Sequence, residues 1–363
     1  MKRFAVVLLS VLLVLLPGCT KPMTERAESA ESETVESIAE DLSGAESGAE
    51  KAETAAHVTR TLSSGVMVDT GVYVPESMQK SALAEMRGQG QLIDYEELKS
   101  LFCSGKTITE EGEEPWEMVT PGAMEAVGKY VSTQDGDYLQ RICGNTFYYM
   151  TERDIQDIED LTIYETGKNL DFASIEETDK TIRDIAEKLN ITVGKGVCYT
   201  IDTSSQPHYV FQYEILVNGM PLAMFDGGSY SGDAYVPGTY MTAVVDADGI
   251  RHYDVSYVLE ELESGESKKV LTLDEALQAV DDKYNSVIME GEYFIDDIQM
   301  AYTPIKTDEA EIVRLIPVWY FQTTHQILLP DKSGTGEIML PQDGYILINA
   351  LDGTELLHSN GDI

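Results

Sequence analysis

Two helix starts, each followed by three strand-like runs, constrain this chain more than any other feature. Ser174-Ile175-Glu176-Glu177 and Thr272-Leu273-Asp274-Glu275 both fit the S/T-x-x-E capping box. In that motif the cap hydroxyl and the glutamate each satisfy a backbone N–H at the helix start. Behind the first cap, Ile175, Ile182, Ile185 and Leu189 share one helical face. Behind the second, Leu273, Leu277, Val280, Tyr284 and Val287 do so. Steps of three, four and seven are the amphipathic helix pattern. After the first helix come VCYTID, HYVFQYEILVNGMPLAMF and YMTAVVDADGIRHYDVSYV. After the second come EYFIDDIQMAY, IVRLIPVWYFQTTHQILL and GYILINALDGTELL. The third run of each set holds an Asp-Gly pair, Asp248-Gly249 and Asp352-Gly353, a strong hairpin signal. The caps stand 98 residues apart and the Asp-Gly pairs 104 apart. The expectation is an α+β fold with two repeats, residues 171–265 and 266–363. Each would be an antiparallel sheet with one helix across a face. The alternative is two unrelated hairpins.

Upstream, residues 66–170 read as an N-terminal α+β subdomain. GVMVDTGVYVP has strand composition and stops at Pro75, and NTFYYMT reads as a strand. Tyr95 to Phe102 predicts a short helix. Thr120-Pro121 followed by GAMEAVGKYV predicts another, with proline at the first helical position.

The N-terminus carries the most specific motif. Lys2 and Arg3 precede an apolar run, Phe4 to Leu16, which is short for a spanning helix and right for a signal peptide. The run ends in Leu16-Pro17-Gly18-Cys19, which resembles a bacterial lipobox. The resemblance implies cleavage after residue 18 and a lipid on Cys19. An ordinary secretory peptide with a chance cysteine is the alternative. Residues 19–65 then read as a disordered acidic linker. No aromatic residue occurs between Phe4 and Tyr73, and Glu, Ser, Ala, Thr and Gly dominate, so the segment buries too little apolar surface to offset its ordering entropy. Like charges along it extend it and hold the globular part off the membrane.

Formal net charge is −39, and loss of Lys2 and Arg3 with the leader lowers it by two more. Such a chain does not suit nucleic acid or anionic lipid, both of which need clustered Lys and Arg. The 43% hydrophobic content and 20 tyrosines are enough for a substantial core. Beyond Cys19 the cysteines are Cys103, Cys143 and Cys198, without CxxC spacing. Either Cys103 pairs with Cys143 and leaves Cys198 over, or none pair.

The IPVW of Pro317, Val318 and Trp319, followed by Ala350, Asp352 and Gly353, is similar to PepSY-like domains. It also resembles the extracytoplasmic YycH/YycI regulators of Gram-positive bacteria. The layout looks like that of uncharacterised Firmicutes lipoproteins. The similarity covers residues 170 to 363; the first repeat matches less well, with Tyr213-Glu214-Ile215 in place of the tryptophan stretch. What it implies is a non-enzymatic regulatory scaffold with a protein partner in the cell envelope, on the outer face of the membrane. The alternative is a ligand-binding lipoprotein serving a transporter.

Motifs for catalysis or cofactors are weak. DGGSYSGD (226–233) lacks the G-x-S-x-G elbow, because Tyr230 stands where serine is needed. Ser77-Met78-Gln79-Lys80 matches S-x-x-K, but no K-T-G follows. Ser104-Gly105-Lys106-Thr107 ends like a P-loop without the upstream glycine. DKSGTGE (331–337) resembles half a calcium loop, with Gln342 where the bidentate glutamate belongs. Of five scattered histidines, His208, His252 and His325 lie in or beside strands and would need to converge to form a base or metal site. No cofactor, metal or catalytic set is expected.

RLIPVWYFQTT (314–324) is apolar on both strand faces. Leu315, Pro317, Trp319 and Phe321 share one, and Ile316, Val318 and Tyr320 the other. Such a strand is covered on both sides. The second helix covers one. Ile316, Val318, Trp319 and Tyr320 are the candidate partner surface if nothing in the chain covers the other. Pro317 predicts an edge position or a bulge.

Overall fold

The computed structural model describes residues 56–116, 122–152, 165–202, 206–223, 229–231, 234–236, 239–286, 291–330 and 337–359. The lipobox, Cys19, the acidic linker up to residue 55, Thr120-Pro121 and the calcium-like loop 331–336 lie outside these. Residues Ala55–Ile363 make one compact unit. Among the described residues it holds twenty strands, one short 3₁₀ helix at Glu76–Met78 and three α-helices. The helices are α1 (Tyr95–Cys103), α2 (Ile175–Lys188) and α3 (Leu273–Asn285).

Both capping boxes are formed. Ser174 Oγ accepts from Glu177 N and Thr272 Oγ1 from Glu275 N, while each glutamate reaches back to its cap N–H. The strand runs are also strands: β9 (Val193–Ile201), β10 (His208–Val217), β14 (Tyr240–Asp246) and β15 (Gly249–Ser256) after α2. After α3 come β17 (Glu292–Lys306), β18 (Ile312–Pro330), β19 (Glu337–Asn349) and β20 (Glu355–Ser359). Asp-Gly turns join β14 to β15 and β19 to β20, with Gly249 at φ 107° and Gly353 at φ 76°.

The expected α+β architecture of two helix-plus-sheet repeats does not form. The chain is mainly β, in two large sheets that each recruit strands from distant parts of the sequence. Sheet A runs β1 (Ala56–Thr61), β2 (Met67–Tyr73), β17, β18, β19, β20. In it β3 (Ala82–Gly90) also pairs with β18 and with β16 (Leu259–Lys269). Sheet B runs β4 (Ile108–Pro115), β5 (Val127–Thr133), β6 (Tyr138–Ile142), β7 (Thr146–Met150), β15, β14, β10, β9, β8 (Glu165–Thr166). There β11 (Met220–Pro221) pairs with β10. The N-terminal strands thus divide between both sheets, β2 and β3 joining one and β4 to β7 the other. The physical reason is edge closure: a four-strand meander leaves open edges, and pairing of β7 with β15, of β8 with β9 and of β2 with β17 covers them.

Two local expectations also change. Residues 56–61, read as linker, form β1 against β2. The helix expected after Pro121 does not form; Val127–Thr133 is β5, held between β4 and β6 with Val131 fully buried. Tertiary pairing overrides weak local propensity there. One continuous core joins side chains of both sheets, among them Val131, Phe147, Tyr253, Met86, Trp319 and Phe321.

Candidate functional site

RLIPVWYFQTT lies within β18, in the middle of sheet A. Leu315, Trp319 and Phe321 join the main core with Leu277, Val280 and Tyr284 of α3. Ile316, Val318 and Tyr320 form a second cluster with Ala223, Ala301 and Leu347. The described parts of the chain between β10 and β14 lie on this side. Ala223 N donates to Tyr302 O at 2.8 Å, β13 (Ala234–Val236) lies against β17, and β12 (Ser229–Ser231) lies against β20. Ile316, Val318, Trp319 and Tyr320 are 0%, 0%, 5% and 7% exposed, so they are core and offer no partner surface. Pro317 is neither at an edge nor in a bulge. It sits where β18 changes neighbour, after Leu315 pairs with β3 and before Val318 pairs with β19. Its carbonyl accepts from Ala350 N at 2.8 Å on that side, so its missing N–H falls in the gap between the two partner strands.

The other motifs are scattered. Ser77 lies in the short 3₁₀ helix and its buried hydroxyl has no hydrogen-bond partner. Lys106 points not at a phosphate cradle but into the fold, ion-paired with buried Asp137 and donating to Tyr149 Oη at 2.8 Å. Burial lowers its pKa, but the hydrogen bonds to Asp137 and Tyr149, together with the charge of those groups, raise it overall. His208 and His252 are in sheet B, His325 stacks on Tyr293 in sheet A at 3.9 Å, and they do not converge. Cys103 is a free, buried thiol whose pKa burial raises, so it does not pair with Cys143. Among the described residues no group of three His, Cys, Asp or Glu is placed to hold a metal, and no helix is long and apolar enough to cross a membrane.

A recess with binding chemistry lies where α1 meets the edge of sheet B. Asp94 caps α1, its carboxylate accepting from Glu96 N at 2.9 Å. Leu98 and Phe102 anchor the helix on the sheet, Phe102 stacking on Tyr149 at 4.7 Å. The first turn of α1 thereby overhangs β4 and β5. Between them is a cleft of about 210 Å³ lined by Tyr95, Glu96, Glu111, Gly112, Glu113 and Lys129. Its charges are interleaved. Lys99 Nζ reaches Glu111 at 2.8 Å and Glu96 at 3.2 Å, and Lys129 Nζ reaches Glu113 at 3.2 Å. The hydrogen bonds that Lys99 donates to Glu111 and Glu96 raise its pKa. Lys99, Lys129 and Arg141 each place their cationic group 6.0 Å from the Tyr95 ring centre.

Tyr95 is the unusual member. It is 6% exposed, and its buried hydroxyl has no hydrogen-bond partner. Burial, and then the charge of Glu111, push its pKa well above the normal phenol value, so it stays neutral. A buried hydroxyl without a partner costs about 1–3 kcal/mol. On the opposite face of β4 and β5, Tyr130 donates to Glu110 at 3.2 Å and Gln140 to Glu114 at 2.6 Å. Gly112 makes room there, since a Cβ would meet Tyr130 Oη at 2.7 Å. The cleft lining offers polar anchors in Tyr95, Glu96, Glu111, Glu113 and Lys129. Sequence reasoning missed it, although ITEEGEEP, four glutamates in an eight-residue strand, was visible.

No family model matches the chain, and no curated protein matches it. Among solved structures, the chain is similar to an uncharacterized protein from Eubacterium rectale ATCC 33656. The TM-score is 0.63 at 16% identity, over 80% of this chain and 90% of that one. At that identity the likeness is one of fold alone.

Proposed function

We propose that this chain is a bacterial, Gram-positive lipoprotein anchored through Cys19 on the outer face of the cell membrane. Its folded unit acts as a non-enzymatic interaction module for another envelope protein. The observation that carries this reading is the sequence Leu16-Pro17-Gly18-Cys19 behind an apolar leader and ahead of a long acidic, aromatic-free segment. The acidic cleft at the β4 edge supports it by supplying a surface with binding chemistry. The test has two parts. Cys19→Ala should move the protein from the membrane fraction to the medium. The intact chain should capture a specific protein from solubilised envelope; if it captures none and turns over a substrate instead, the reading fails.

A second reading, a ligand-binding lipoprotein serving a transporter, is favoured by the volume of the cleft, about 210 Å³, which suits a small polar molecule. A thermal-shift screen with sugars, amino acids and short peptides separates the two. A reproducible rise with one class of small molecule supports the second.

A further inference from the structure

Three features meet at the β4 edge. First, among the described residues β4 is the terminal strand of sheet B and pairs only with β5. The phase of that pairing is set by Trp116, whose N–H donates to Ala126 O at 3.1 Å. In an antiparallel ladder successive residues alternate between facing the partner and facing away. Trp116, Glu114 and Gly112 therefore face β5, and Pro115, Glu113 and Glu111 face out. Pro115 has no N–H to offer, but Glu111 and Glu113 each present an N–H and a C=O to the open side. Second, those same two residues line the cleft with their side chains. Third, Tyr95 at the cleft wall keeps a buried hydroxyl without a partner.

We propose that the β4 edge and its cleft receive an extended basic segment of another protein. The segment adds to sheet B as an outer strand on the main-chain groups of Glu111 and Glu113. It sets a lysine or arginine side chain in the cleft beside Glu111, Glu113 and Glu96. This rests on the reading of the chain as an interaction module and names the chemistry of the partner. β4 carries Glu110, Glu111, Glu113 and Glu114 and no basic residue, and Lys99 and Lys129 balance only part of that charge. The same acidity repels a second copy of this strand, so the occupant is a different protein. Strand addition draws affinity from the main chain and specificity from side-chain pockets along the edge.

The test uses the intact chain and a fluorescent eight-residue peptide of alternating lysine and valine, with a glutamate–valine peptide beside it. The lysine peptide is expected to bind and the glutamate peptide not. Because a chain this acidic attracts any cation, the deciding comparison is between two double variants of equal charge. Glu111→Gln with Glu113→Gln should weaken binding by about tenfold. Glu263→Gln with Glu266→Gln, on the exposed edge strand β16, should leave it unchanged. Equal weakening by both pairs, or no binding of the lysine peptide, overturns the proposal. If the peptide fails while the chain still captures an envelope protein, this inference falls and the broader reading stands. If the chain captures none and turns over a substrate instead, the broader reading falls as well.

Discussion

β18 and β4 are the two extremes of this molecule. β18 is apolar on both faces and lies inside sheet A, with α3 over one face and Ala223 in the cluster on the other, where β13 lies against the neighbouring β17. β4 is acidic, exposed along most of its length and, among the described residues, paired on one side only. The apolar strand looked from sequence like the place where a partner would bind, yet the chain covers it by itself. The acidic strand drew no notice, yet it is open. Hydrophobicity marks what a protein buries first in itself, and only the full set of contacts shows which surface remains for others.

The largest test of this contrast removes bulk from both faces of β18. Phe321→Ala, on the α3 side, should cost about 3–5 kcal/mol, and Ile316→Ala, on the other side, about 2–5 kcal/mol. Chemical denaturation checks both. A partner surface would leave Ile316→Ala with unchanged stability and weakened capture.

Next in size is the clasp between the β1–β2 turn and α3. Asp281 accepts from Ser63 Oγ at 2.6 Å and from Ser64 N at 2.7 Å. The Ser63 and Ser64 hydrogen bonds hold its carboxyl pKa down from 3.8 to about 2. The folded pKa lies below the unfolded one, so the stabilisation is complete above about pH 4 and is lost as pH falls toward 2. Asp281→Ala should cost about 1–3 kcal/mol near neutrality. Its melting temperature should also fall less than the parent's between pH 4 and 2. An identical acid profile in parent and variant would remove Asp281 from the account.

Smaller effects belong to the β4 side. Tyr95→Phe removes an orphaned hydroxyl and should raise stability, by up to about 1 kcal/mol, with weaker binding of the lysine peptide. A lower melting temperature would mean that the hydroxyl is satisfied in the folded protein. Glu111→Gln with Glu113→Gln should change stability by less than about 0.5 kcal/mol, since both carboxylates are exposed, and should show itself in binding.

Much of the local structure was legible. The capping boxes at Ser174 and Thr272, the Asp-Gly hairpins and the two-faced burial of β18 all follow from neighbours within a few residues. The architecture was not, because it depends on pairings between residues far apart, such as Met86 with Leu315 and Tyr149 with Tyr253. The same holds for Pro317, whose place is set by β3 and β19 meeting along β18. The cleft was hidden for another reason. Glutamate is depleted in strands, so ITEEGEEP carries little strand signal until β5 and α1 are in place.

The contrast between the closed strand and the open one is read most directly by amide hydrogen exchange with and without the lysine–valine peptide. The account predicts that the peptide slows exchange at Glu111 and Glu113 and leaves Ile316 to Tyr320, already protected, unchanged. No slowing at β4, or a change at β18 in its place, would contradict it.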